Sequence, residues 1–486
     1  MKRLRALLIF GVVLGCENPA LQRAEAPGTA RAPARERPFR ARPIPTDEAW
    51  LRSPPAVWPM RGTASLPVAE RRLANGARVL VVERHEFPSV ALAFVLDRGV
   101  CDSGAAAAIY SLAFGSSTSE GRSESLSYLH YIGAPPWMSV SDDYMTLTST
   151  VLSPLLSSAL SRLAPMFFSP GVSADDLSYA RSRWRDILSV AGTRPRRLAT
   201  RVLRESLFGR GAYGTVIVDP SETDSESDAH VRELRRAALS PRNVSVIAVG
   251  DTTPDAVVRL LDGYTRGLRH DDVGPSGCAA LPAPSGNGIV RVIDEPGAEQ
   301  SRVSIGAVGV PTGHLDGAPL EVLASALGVS LSSRLNLKIR EEHGLSYGVH
   351  MESKQWRGHG LVEITTSVET GRTAEAVKGM LTELDRAATD PLDDDELLRA
   401  LGRSLPDAGA NEAAARLLVT VAAYGRPAED VAARSQAISR VTAADLTRVA
   451  GRYLARERRV VTIVGDAARI APALGEVDVG RVVVEK

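Results

Sequence analysis

Two stretches far apart in the chain share one layout: Arg232 to Asp251 (RELRRAALSPRNVSVIAVGD) and Thr447 to Asp466 (TRVAGRYLARERRVVTIVGD). They have equal length, and each runs from an amphipathic helix through a polar turn into an apolar strand that ends Gly-Asp. The apolar run Val90 to Leu96 has a counterpart in Val303 to Val308. A repeat this long is not a solenoid unit. It predicts two copies of one domain, and the aperiodic Pro-, Gly-, Ser- and Ala-containing stretch 274–288 falls between them as a linker. The copies are then 63–273 and 289–486.

Within the first copy, Asn75-Gly76 between extended flanks is a hairpin signal. Ser89 to Leu96, Tyr144 to Val151 and Asn243 to Gly250 read as strands, and Leu155 to Phe168 and Asp175 to Val190 as amphipathic helices. Strands and helices alternate without the order of a dinucleotide-binding unit. The expectation is an α+β fold: in each copy a mostly antiparallel sheet with helices packed on one face.

The N-terminus has another character. Lys2, Arg3 and Arg5 precede an apolar run, Ala6 to Leu14, that is too short to span a bilayer. This predicts a signal peptide over 1–16, and Val13-Leu14-Gly15-Cys16 resembles a bacterial lipobox with Cys16 as the lipidated residue. An ordinary cleavage site and a mitochondrial leader are the alternatives. Residues 17–62, rich in Pro, Ala and Arg without apolar period, are expected to form a disordered tether reaching roughly 35–40 Å as a coil. The expected location is the bacterial cell envelope, lipid-anchored on the periplasmic side or at the outer membrane. At 486 residues with formal net charge +1 and scattered Arg, the chain shows no basic patch, which argues against a nucleic-acid partner. Beyond Cys16 it has Cys101 and Cys278, for which a disulfide and two free thiols are both open.

The run Ser332-Ser333-Arg334-Leu335-Asn336-Leu337-Lys338-Ile339-Arg340-Glu341-Glu342-His343-Gly344-Leu345-Ser346-Tyr347-Gly348-Val349 carries the most specific chemistry. Ser332 or Ser333 is expected to cap a helix whose buried face is Leu331, Leu335 and Ile339, Gly344 to supply its left-handed exit, and Leu345 to Val349 to alternate as a strand. Arg340 and Tyr347 then stand on either side of one tight turn. A guanidinium and a phenolic hydroxyl aimed at one point suit a carbonyl oxygen or developing oxyanion. The bland alternative is a solvated Arg and a core Tyr.

The pattern S-S-R-L-x-x-x-I-R-E-x-x-G-L-S-Y resembles the second-domain motif of the pitrilysin/insulinase family of zinc metallopeptidases, and the resemblance covers most of the chain after about Leu66. It implies two similar domains forming half of a clamshell around a peptide, with Arg340 and Tyr347 acting on substrate bound at a zinc site elsewhere. The family's zinc motif, His-x-x-Glu-His on a first-domain helix, is absent. The matching segment, Gly104 to Phe114, places Ala107 and Ser111 at the two His positions and Tyr110 at the Glu. Between Asp102 and Glu120 the only ionisable side chain is Tyr110, so no change of register restores a site. The helix expected to bring the third ligand holds Asp175, Asp176 and Asp186 but no Glu. The eight histidines show no metal-ligand spacing, and no nucleophile elbow or phosphate loop appears.

The resemblance therefore implies a subunit that binds no cofactor itself and works in trans beside a zinc-binding subunit of the same family, with zinc on that partner and a peptide between them. The alternative is a non-proteolytic structural or peptide-binding scaffold. A self-sufficient hydrolase has no motif behind it.

Overall fold

The computed structural model describes residues 66–113, 122–169, 171–190, 194–210, 212–265, 278, 288–477 and 480–485. The leader, Cys16, the tether and nearly all of 274–288 lie outside them. In the first half the order is β1 (Val68–Arg72), β2 (Arg78–Glu83), β3 (Ser89–Leu96), α1 (Val100–Ala113), α2 (Arg122–Tyr131), β4 (Trp137–Val140), β5 (Met145–Leu152), α3 (Leu156–Phe168), α4 (Ala174–Ser189), α5 (Arg194–Phe208), α6 (Pro220–Asp224), α7 (Asp228–Ala238), β6 (Val244–Gly250) and α8 (Pro254–Thr265). The second half has β7 (Ile289–Asp294), β8 (Gln300–Gly309), α9 (Gly317–Gly328), α10 (Arg334–Asn336), β9 (His350–Gln355), β10 (Gly360–Glu369), α11 (Thr373–Ala387), α12 (Asp394–Ser404), α13 (Asn411–Ala423), α14 (Asp430–Ser439), α15 (Ala443–Tyr453), β11 (Val460–Gly465), α16 (Ala467–Gly475) and β12 (Arg481–Glu485).

The strands form two six-stranded sheets, ordered β1-β2-β6-β3-β5-β4 and β12-β7-β11-β8-β10-β9. Position by position they match, with β6 opposite β11 and β3 opposite β8, as the duplicated sequence requires. The copies differ at one edge. In the first, the Asn75-Gly76 hairpin sets β1 antiparallel to β2, with Gly76 at φ 92° supplying the turn. In the second, β12 arrives from the end of the chain and pairs parallel with β7.

Strand alternation divides each sheet's residues between two cores. From the first sheet Val79, Val81, Val90, Leu92, Phe94 and Leu96 pack against α1, α3, α4, α7 and α8. The opposite face is not open, as the one-faced expectation would leave it. Leu80, Val82, Ala91, Ala93, Val95, Ile247 and Val249 are covered by α13 of the second half, through Ala414, Leu418, Val421 and Ala422. Reciprocally, α5 of the first half lies on the second sheet, where Leu203 and Leu207 meet Val460 and Leu361, and Ala199 and Val202 meet Ile293 and Val464. The approach is close: a Cβ on Gly306 of β8 would stand 2.7 Å from Leu203 Cδ2. The two halves thus belong to one compact body.

Polar groups lock the same junction. The turn between β9 and β10 inserts beside α5, with Trp356 stacked on Tyr213 at 4.6 Å. Asp143, fully buried, accepts from Tyr213 Oη at 2.7 Å, Tyr424 Oη at 3.0 Å and the Arg357 backbone N–H at 2.8 Å. The Arg357 guanidinium donates to Asp97 and to the Ala423 carbonyl. Cys101 and Cys278 are joined in a disulfide with Cα atoms 5.9 Å apart, which decides between the two alternatives the sequence left open.

Burial, reinforced by Asp102 and Asp143, pushes the Asp97 carboxyl up to about 6 despite Arg357 and Arg98. With the folded value above the ordinary 3.8, the contribution of Asp97 to stability is fully present below pH 3.8 and is lost as pH rises through about 6. At about 1.4 kcal/mol per pH unit between the two values, the change is on the order of 2–3 kcal/mol. Asp97→Asn should therefore gain stability relative to wild type by that amount between pH 4 and 7 in urea unfolding. A difference that stays flat with pH would contradict this account of the junction.

Candidate functional site

The segment that matches a zinc motif lies on α1, which is kinked at Gly104 (φ 50°, ψ −123°). Ala107, Tyr110 and Ser111 are all buried, at 0, 0 and 2% exposure. The Ser111 hydroxyl donates to the Ala108 carbonyl at 2.6 Å, and Trp184 Nε1 of α4 donates to the same oxygen at 2.7 Å. The Tyr110 ring stands 5.1 Å from the guanidinium of buried Arg235, which donates in turn to the Ser169 carbonyl at 2.7 Å. Burial pushes the Tyr110 phenol up to about 12. Asp176 of α4 is spent on the capping box with Ser173. Zinc does not fit these residues: the position lacks ligands, and packed core fills the space where an activated water would stand. Among the described residues, one trio of possible ligands gathers, Cys101, Asp102 and Cys278, and its two sulfurs are bonded to each other.

The Arg340 and Tyr347 segment is built differently. Only Arg334–Asn336 is α-helical; Leu337–Glu342 widens into a π-helical turn, a feature that often marks functional sites. Leu335 and Ile339 are fully buried under α11, where a Cβ on Gly379 would come within 2.9 Å of Ile339 Cδ1. Leu331, expected on that buried face, precedes the helix and is exposed. Ser333 stands at the cap position, yet its hydroxyl donates back to the Ser330 carbonyl at 2.6 Å and accepts from the Asn336 side-chain amide at 3.1 Å instead of from a backbone N–H of the first turn. Gly344 makes the left-handed exit at φ 58°. Leu345 to Val349 is not a strand; β9 begins at His350. The reason is local. The Asn336 amide bonds both the N–H and the C=O of Val349 at 2.8 Å, so a side chain stands where a neighbouring strand would be.

The guanidinium of Arg340 lies 5.3 Å from the Tyr347 ring centroid, a cation–π distance, and Glu341 is its ion-pair partner at 3.4 Å. Tyr347 is 91% exposed, while about a quarter of the Arg340 side chain reaches solvent. The fold thus brings the two together as a guanidinium over a ring face and presents the phenol outward. Their support was missed from sequence. Arg334, buried, donates to both Glu396 oxygens at 2.8 and 2.7 Å, and Ser346 Oγ bonds Thr366 Oγ1 at 2.6 Å and the Ser367 carbonyl at 2.9 Å. The motif letters held these residues, but their partners on α12 and β10 are distant in sequence.

A cleft of about 560 Å³ lies between the halves, lined by Tyr144, Trp356, Leu417, Tyr424, Arg426 and Arg434 among others. Arg434 is committed to Glu321 and Arg426 to Asp430, and neither Arg340 nor Tyr347 lines it. Among the described residues no helix is long and apolar enough to cross a membrane.

The duplicated α+β body, with core at the position of the zinc motif and an exposed Arg–Tyr element, defines the class: a two-domain α+β chain without the His-x-x-Glu-His motif. Residues 227–403 match the family model described as the peptidase M16 inactive domain. Over 268 residues the chain is 24% identical to an uncharacterised zinc protease of Streptomyces coelicolor, covering 54% of this chain and 58% of that one. A zinc protease of Bacillus subtilis, also uncharacterised, is 24% identical over 250 residues, covering 51% and 60%. The matches thus span about three-fifths of these relatives' lengths. Two solved structures share the fold: a peptidase M16 inactive domain from Pseudomonas fluorescens (TM-score 0.74, 19% identity, 82% of this chain and 98% of that one) and a protease from Helicobacter pylori (0.73, 18%, 82% and 99%). Over residues 227–403, and in its fold, the chain is thus similar to the pitrilysin/insulinase family, M16.

Metal analysis of the purified chain should find no stoichiometric zinc. Restoring the motif by Ala107→His, Tyr110→Glu and Ser111→His should lower the melting temperature, since overpacking a filled core costs about 1–3 kcal/mol per site. One chelator-removable zinc per wild-type chain would contradict this.

Proposed function

We propose that this chain is the Arg/Tyr-supplying subunit of a heterodimeric peptidase, helping to bind and cleave peptides in trans with a zinc-bearing family member. The observation that carries the reading is the contrast within one molecule: the zinc position is sealed core, whereas Arg340 and Tyr347 are held by a dedicated frame with the phenol 91% exposed. A scaffold would have no use for a rigid frame around one exposed phenol. In this role the Tyr347 hydroxyl donates to the carbonyl oxygen of a bound peptide, and Arg340 places positive charge behind the ring, so negative charge developing on that oxygen is stabilised. The Cys16 leader sequence supports a lipid-anchored location at the bacterial cell envelope, on the periplasmic side or at the outer membrane.

In the complex with its zinc-bearing partner, Tyr347→Phe should lower kcat/KM by about a hundred- to a thousand-fold, the usual cost of one lost oxyanion donor, without loss of assembly. Arg340→Lys, which loses the planar fork, should also be impaired. Unchanged turnover in both assembled variants would favour a structural or peptide-binding scaffold. Cys16→Ser should release the chain from the membrane fraction; a wild-type chain that is already fully soluble would contradict the anchor.

A further inference from the structure

We infer that Asn336 is a positioning residue for the Arg340–Tyr347 pair, a role that rests on the reading that the pair acts on peptide. Asn336 is 3% exposed and ends α10, one helical turn before Arg340. Its Nδ2 donates to the Val349 carbonyl at 2.8 Å and to the Ser330 carbonyl at 3.0 Å, while its Oδ1 accepts from the Val349 N–H at 2.8 Å. Exchanging a donor and an acceptor with one backbone residue is what a paired strand does. Here one side chain does it, and so joins the helix that carries Arg340 to the end of the loop that carries Tyr347.

The other end of the loop is pinned through Ser346, whose hydroxyl bonds Thr366 and the Ser367 carbonyl, while the Thr366 hydroxyl donates to the Gly348 carbonyl at 2.9 Å. Tyr347 therefore hangs between two fixed points. Its own ring is almost wholly in solvent, with the Arg340 guanidinium beside it. The Ser346 bonds set the loop against β10, and the Asn336 bonds set its far end against the Arg340 turn, whose Ile339 carbonyl holds the near end through the Leu345 N–H at 2.8 Å. A misplacement of about 1 Å at a reacting group costs on the order of a hundredfold in rate.

The amide is needed as a donor and an acceptor at once. Aspartate keeps only the acceptor for the Val349 N–H and turns a carboxylate toward the Val349 and Ser330 carbonyls. Leucine keeps neither.

The test uses the full chain labelled with 3-fluorotyrosine at position 347. Wild type should give one narrow ¹⁹F line that Arg340→Lys displaces; Asn336→Asp and Asn336→Leu should broaden or displace it. In the complex with the zinc-bearing partner, assayed on quenched fluorogenic peptides, Asn336→Asp should lower kcat about ten- to a hundredfold with KM within about twofold. Ser346→Ala should give a weaker version of both effects. If Asn336→Asp, folded as judged by its melting transition, leaves the ¹⁹F line or kcat as in wild type, the inference is overturned. If the wild-type complex cleaves nothing while the line still responds to Asn336, the positioning stands and the peptidase reading fails.

Discussion

The exchange of α5 and α13 between the two sheets is the contact on which the rest depends. Each sheet has two apolar faces, and a half on its own would cover one. Leu203 and Leu418, both fully buried, lie at the centres of the two exchanged contacts. Burying a leucine contributes about 1.5–3 kcal/mol, and several such residues line each interface. Separating the halves would expose both sets at once. The buried polar junction at Asp97, Asp143 and Arg357 is tolerable only inside this arrangement, because its tyrosine, backbone and guanidinium donors come from both halves.

That body then treats its two inherited sites in opposite ways. On α1, small side chains and one tyrosine complete a core, and the Ser111 hydroxyl is spent on the Ala108 carbonyl. At 334–349 the buried residues are those that fix geometry, Arg334, Asn336 and Ile339, while the residue with reactive chemistry faces out. Burial of Tyr110 raises its phenol and closes its hydroxyl off from any other molecule. Exposure of Tyr347 leaves its hydroxyl available to another molecule.

The fold was legible where the pattern was local or repeated. The Asn75-Gly76 hairpin, β3 at Ser89–Leu96 and the duplicated helix–strand units follow from turn chemistry and period. Even the double coverage had a trace, since SVALAFVL is apolar at every position after its first, the mark of a strand buried on both faces. Which helix would cover the second face was not legible, because α13 is more than three hundred residues from β3 in sequence. The same limit applies at the site. Arg340 and Tyr347 were readable from their motif, but Leu345–Val349 alternates like a strand and is not one, because Asn336 and Ser346 take up the backbone bonds that a ladder would have used.

The central claim is that this chain contributes chemistry to a site it cannot complete. Its most direct test is a titration of the purified chain into a zinc-bearing family member from the same cell, following cleavage of a quenched peptide. Activity should be absent from either protein alone, rise with added chain and level off at a one-to-one ratio. A partner that is fully active alone and indifferent to this chain would contradict the account.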